Sequence, residues 1–130
     1  MEIFMLPTKE QFSQLMAMDY QGPIYMINML KYKPDGGEEM YKEKYGPACE
    51  AAWERTGHKV KVVLHTKSVP LTVIGGEMWD EVLIVWYPNV TAFIDMNRDK
   101  EYQANLHYRQ EAVVDSRLYL IKAEETDIAF

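Results

Sequence analysis

Residues 24–32, IYMINMLKY, and residues 81–87, EVLIVWY, decide the fold. Both runs are rich in β-branched and aromatic side chains, and both are apolar at odd and even positions alike. Strand side chains alternate between two faces, so runs of this kind belong to central strands covered on both sides. Turn residues bracket them. Gln21-Gly22-Pro23 precedes the first, Pro34-Asp35-Gly36-Gly37 follows it, and Pro88 ends the second.

Reading outward, residues 8–18 form an expected helix. Thr8 can cap it with Gln11 three residues on, and Phe12, Leu15 and Met16 share a face. Between the two strands, residues 38–55 carry Tyr41, Tyr45, Ala48 and Ala52 on one helical face. Gly46-Pro47 inside this helix predicts a kink or short break, and Thr56-Gly57 stops it. Residues 58–66 alternate, with Val60, Val62 and Leu64 against Lys59, Lys61, Val63 and His65. That pattern predicts a strand with one apolar and one basic face, and Lys67 adds charge beside it. Pro70 breaks it, and residues 71–74 offer a short extension. Asn89 can cap a short helix over 90–96. A second helix over 100–113 places Tyr102, Leu106, Arg109 and Val113 on one side. Residues 116–122 are the last strand, and an acidic tail leads to Ile128-Ala129-Phe130.

After the leading helix the order is strand, helix, strand, strand, helix, strand. This is the α+β, ferredoxin-like arrangement: a four-stranded antiparallel sheet with helices on one face. Its other face needs cover, because Ile27, Met29, Leu83, Val85 and Tyr119 cannot all meet water without an exposed apolar patch. A second copy of the sheet is the simplest cover, so a homodimer is expected, a dimeric α+β barrel. The expected organisation is one domain over 1–130, with a core over 22–122 and an N-terminal helical extension over 1–21.

Composition narrows the partners. Among 130 residues the net charge is −6, which disfavours nucleic acid and anionic membranes. The single cysteine, Cys49, allows no intrachain disulfide. The N-terminus lacks a basic region and a long apolar run, so neither a signal peptide nor a membrane span is expected, and the cytoplasm is the default location.

Few residues carry chemistry. Asn28 sits mid-strand among apolar neighbours, so its amide either orients a substrate carbonyl or peroxide or bonds a neighbouring loop. His65 is a candidate base, or else a solvated or dimer-facing histidine. Arg109 and Arg117 flank Asp115, either as an ion pair tying the last helix to the last strand or as a fork for a ligand carboxylate. Tyr41, Tyr45, Trp86 and Tyr102 are core aromatics or the lining of a pocket between sheet and helices, reached by Asn28 and Arg109. His58 and His107 carry little signal. No histidine pair has metal-ligand spacing, and no metal is expected; a haem needs one axial histidine, so counting does not rule on it. Cys49 reads as a packed thiol. No Gly-x-Ser-x-Gly, Gly-x-Gly-x-x-Gly or phosphate loop occurs, which argues against a hydrolase, a dinucleotide enzyme or a kinase.

Together several stretches resemble one family. They are residues 23–32, PIYMINMLKY; the pair Tyr41 and Tyr45; residues 77–88, EMWDEVLIVWYP; residues 101–103, EYQ; Tyr108-Arg109; and residues 115–118, DSRL. The chain resembles domain-of-unknown-function family thirteen-thirty, of the dimeric α+β barrel superfamily, from about Pro23 to Ile121. That family supplies no catalytic residues to carry over. Its superfamily includes cofactor-free monooxygenases, lactone isomerases and haem enzymes, so fold analogy does not choose a reaction. Three readings stand: a small-molecule enzyme without a tightly bound cofactor, with Asn28, His65 and Arg109 as its polar groups; a non-catalytic ligand-binding protein; and a dimeric interaction module.

Overall fold

The computed structural model describes residues 6–66, 68–124 and 126. Lys67 and the terminal Ile128-Ala129-Phe130 lie outside them. Among the described residues no helix is long and apolar enough to cross a membrane.

Four strands form one antiparallel sheet in the order β2-β3-β1-β4: β1 (Ile24–Tyr32), β2 (Lys61–His65), β3 (Glu81–Tyr87) and β4 (Val113–Ile121). The two runs that are apolar on both faces are the adjacent central strands. Residues 71–74 carry no strand. The helix α1 (Lys9–Met16) starts with the Thr8–Gln11 capping box, each side chain bonding the other's backbone N–H.

The regular hydrogen bonding of the long helix is interrupted just before Pro47, where one turn widens. A π-helical segment, Tyr41–Tyr45, joins α2 (Gly37–Met40) to α3 (Gly46–Thr56), and the Gly46 N–H donates to the Tyr41 carbonyl. Pro47 has no N–H, and its ring would press on the carbonyl four residues back in a regular helix. One widened turn relieves that clash. Gly57, at φ 75°, ends α3. The start of α2 is pressed against the end of the last helix: a Cβ on Gly37 would lie 2.4 Å from the Ala112 carbonyl oxygen.

The expected helix over 100–113 is broken. After α4 (Val90–Arg98), α5 (Lys100–Asn105) and α6 (His107–Ala112) meet at Leu106, and the chain enters β4 directly at Val113. Asp99 caps α5 by accepting from the Tyr102 N–H.

Register assigns the faces. Ile24, Met26, Asn28 and Leu30 pair with Tyr87, Val85, Leu83 and Glu81, and these side chains face the helices. Tyr25, Ile27 and Met29 pair with Trp86, Ile84 and Val82 on the outer face. Two expectations are corrected here. Leu83 and Val85 face the helices rather than the open side with Ile27, Met29 and Tyr119. Trp86 faces outward, opposite Tyr25, because Asn28 is paired with an odd-numbered residue of β3.

A third correction concerns β2. Lys61 pairs with Trp86 and Val62 with Val85, but Leu64 pairs with Ile84 and His65 with Leu83. The ladder slips between Val62 and Leu64, leaving Val63 as an extra residue. His65 therefore joins Val62 on the helix-facing side and is turned away from Lys61. Thr66 locks this end of the strand: its hydroxyl donates to the Val82 carbonyl at 2.8 Å and accepts from the Val82 N–H at 2.9 Å.

Candidate functional site

The helix-facing side of the sheet is apolar at one end and polar at the other. Successive rows across the strands read Tyr87 and Ile24; then Val62, Val85, Met26 and Leu120; then His65, Leu83, Asn28 and Leu118; then Glu81, Leu30 and Ser116. Above them lies a cavity of about 1450 Å³. The π-helical segment and α3 supply Tyr41, Tyr45 and Cys49 to its wall. Tyr102 and Arg109 come from α5 and α6, Phe93 and Met96 from α4, and Phe12 and Leu15 from α1.

The aromatic wall is continuous. The rings of Tyr41 and Tyr45 lie 5.0 Å apart between centroids, those of Tyr45 and Tyr102 6.0 Å. The hydroxyls of Tyr45 and Tyr102 share a hydrogen bond of 2.6 Å. Burial pushes the pKa of all three phenols up, so they stay neutral, and Arg109 partly opposes the shift at Tyr41 by charge and hydrogen bonding. Burial likewise pushes the Cys49 thiol up to about 12, which makes it inert as a nucleophile at neutral pH.

Arg109 is buried against this wall. Burial disfavours its charge, yet beside Tyr45, Tyr41 and Tyr102 its pKa stays above the ordinary value. A guanidinium in such surroundings is a permanent buried cation with five N–H donors. Asn28, on the floor, donates a long 3.4 Å bond from Nδ2 to the Leu83 carbonyl.

Next to the floor stands a residue that sequence reasoning passed over. Glu81 opens β3 and is 1% exposed. One of its carboxylate oxygens accepts from the Tyr32 hydroxyl at 2.6 Å, and the other lies 2.6 Å from His65 Nε2. The Lys42 ammonium lies 3.7 Å from the first. In the sequence Glu81 looks like the polar border of an apolar strand, and only the fold reveals its partners.

The cavity thus brings together Asn28, Tyr41, Tyr45, Tyr102, Arg109 and His65. It does not include Trp86. Arg117 borders it from β4, but its register opposite Met29 directs the guanidinium to the outer face. There it bonds Asp115 Oδ1 at 2.7 Å and stands 5.2 Å from the Trp79 ring. His58 pairs with Asp95 at 2.8 Å, and His107 with Glu111 on its own helix. Among the described residues no group of three His, Cys, Asp or Glu is placed to hold a metal ion.

Solved structures share this architecture. A protein of unknown function from Rhodopseudomonas palustris, RPA0582, is 39% identical, with a TM-score of 0.84 over 96% of this chain and 100% of that one. A dimeric protein of unknown function with a ferredoxin-like fold, from Bacteroides fragilis, is 17% identical, with a TM-score of 0.52 over 80% of this chain and 99% of that one. SnoaB, a cofactor-independent oxygenase from Streptomyces nogalater, is 16% identical, with a TM-score of 0.54 over 82% of this chain and 97% of that one. The last two likenesses concern the fold alone. No family model and no curated protein matches the chain.

Proposed function

The chain belongs to the family of the Rhodopseudomonas palustris protein RPA0582, and we propose that it takes a small aromatic or apolar molecule with an acidic group into the cavity and acts on it without a tightly bound cofactor. The observation that carries this reading is Arg109: a buried cation set against three neutral phenols, on the wall of a cavity whose floor is apolar toward Met26 and Val85. An aromatic body suits the rings of Tyr41, Tyr45 and Tyr102. A carboxylate suits the guanidinium fork. Asn28 Nδ2 would meet a carbonyl on the same molecule. The cofactor-independent chemistry of SnoaB shows what one protein of this fold does, and it supports the reading as analogy. The finer assignment to family thirteen-thirty rests on the residue patterns quoted above.

The test is calorimetric binding of 2-naphthoate and its neutral amide. Arg109→Ala should weaken naphthoate binding by about 1.5–3 kcal/mol, the size of a charged hydrogen bond, and leave the amide nearly unaffected. Equal losses for the two ligands, or no binding by the natural chain, would sink the reading.

We also propose that the protein pairs with itself through the outer sheet face. Leu64, Tyr119 and Ile121 are exposed there beside the partly covered Ile27, Met29 and Ile84. The Bacteroides fragilis protein of the same fold is dimeric. A stable pair of this type should bury about 2,000 Å² or more in total. Sedimentation at micromolar concentration should show a dimer, and Tyr119→Glu with Ile121→Glu should give a folded monomer. A monomeric natural chain would refute the pairing.

A further inference from the structure

We propose that His65 is the proton-abstracting base of the cavity, that Glu81 is the residue that positions it, and that the substrate is a carbon acid with an acidic C–H beside a carbonyl. This rests on the reading that Arg109 holds the same molecule by its carboxylate.

The hydrogen bonds around Glu81 fix the tautomer of His65. An ionised carboxylate only accepts. One oxygen therefore takes the Tyr32 O–H at 2.6 Å and the other the His65 Nε2–H at 2.6 Å. Burial, with the bond to Glu81, pushes the Tyr32 phenol well up, so Tyr32 remains a donor and does not compete for the proton. A neutral His65 held this way carries its hydrogen on Nε2 and keeps the Nδ1 lone pair as an acceptor. The carboxylate also stabilises the imidazolium formed when Nδ1 takes a proton, as in other histidine–carboxylate pairs.

Glu81 is buried, while the His65 side chain is 51% exposed and borders the cavity. It arrives there only through the extra residue at Val63; a regular ladder would send it to the outer face beside Lys61. Bulges that re-aim a side chain concentrate near active sites.

His65, Leu83 and Asn28 form one row on three neighbouring strands. Strands lie about 4.8 Å apart, so the histidine and the amide stand about 10 Å apart across Leu83. A small planar molecule lying over Leu83 can present its C–H to one and its carbonyl to the other. The step balances without an oxidant. The C–H bond breaks, the proton forms an N–H bond at Nδ1, and the electron pair moves into the carbonyl to give an enolate oxygen facing Asn28 Nδ2–H. Return of the proton from Nδ1 to the same or another carbon completes an exchange or a double-bond shift.

Phenylpyruvate is the probe, since it has the ring, the carboxylate and an acidic benzylic C–H beside a ketone. In D₂O the natural chain should speed loss of the benzylic proton signal over buffer. His65→Gln should reduce that acceleration by about 100-fold or more, and Glu81→Gln by about 10-fold or more, with phenylpyruvate still bound. Nitrogen-15 spectra of the free protein should show His65 as the Nε2–H tautomer, and Glu81→Gln should mix the tautomers. Bound phenylpyruvate without faster exchange overturns the inference and leaves the binding reading intact. Absent binding overturns the Arg109 reading and the inference that rests on it, and an Nδ1–H tautomer in the natural chain overturns the inference alone.

Discussion

Raising the pH above about 10, where exposed tyrosines ionise, should unfold this protein over a narrow range. Tyr41, Tyr45, Tyr87 and Tyr102 are all buried, and burial pushes each phenol's pKa up. The unfolded chain releases these protons near pH 10 and the folded chain keeps them, so the folded state binds more protons and its stability falls as pH rises. The contribution is complete below pH 10 and drains away above it. Each tyrosine costs about 1.4 kcal/mol per pH unit, so the four together cost about 5–6 kcal/mol per unit. Whole domains are stable by about 5–15 kcal/mol. Cys49, pushed up to about 12 by burial, acts in the same direction from lower pH. Circular dichroism and tyrosinate absorbance should therefore change together. Full ionisation of the tyrosines while the far-ultraviolet spectrum stays native would contradict the packing described.

Leu30→Ala should lower stability by about 2–5 kcal/mol, toward the upper end. Leu30 is 0% exposed and sits between Glu81 and Ser116 in the polar end row of the sheet. Its backbone is fixed by pairing with both flanking strands, and the Asp80 N–H bonds the Leu30 carbonyl at 2.8 Å. Denaturant titration should show a lower midpoint at an unchanged slope. Leu71→Ala, at a residue 70% exposed, should change stability by less than about 0.5 kcal/mol. Equal effects at the two positions would show that Leu30 is not the core residue its burial implies.

Much of the fold was legible one segment at a time. The two central strands announce themselves by carrying apolar residues on both faces, the Thr8–Gln11 box marks the start of α1, and Gly57 marks the end of α3. These signals are local, because capping, left-handed turn geometry and side-chain alternation act within a few residues. The resemblance pointed to the same sheet. The tyrosines of the long helix were legible too, since helical spacing alone aligns Tyr41 with Tyr45.

The site was less legible, for a physical reason. Which face a strand residue occupies depends on register with its neighbours, and one residue of slip reverses every assignment. Trp86 was expected beside Asn28 and stands on the opposite face, because pairing of Asn28 with Leu83 is settled between strands. His65 was expected among lysines and lies against Glu81, because the extra residue at Val63 breaks the alternation. Glu81 itself gave no sign, since a carboxylate at a strand's first position usually meets water. Pro47 forecast a disturbance in the long helix, and the backbone bonding over Tyr41–Tyr45 shows it as a widened turn. Amino-acid order by itself determined the four strands and where helices lie between them; the pairing of those segments decided which side chains meet, because those contacts are made between residues far apart in the chain.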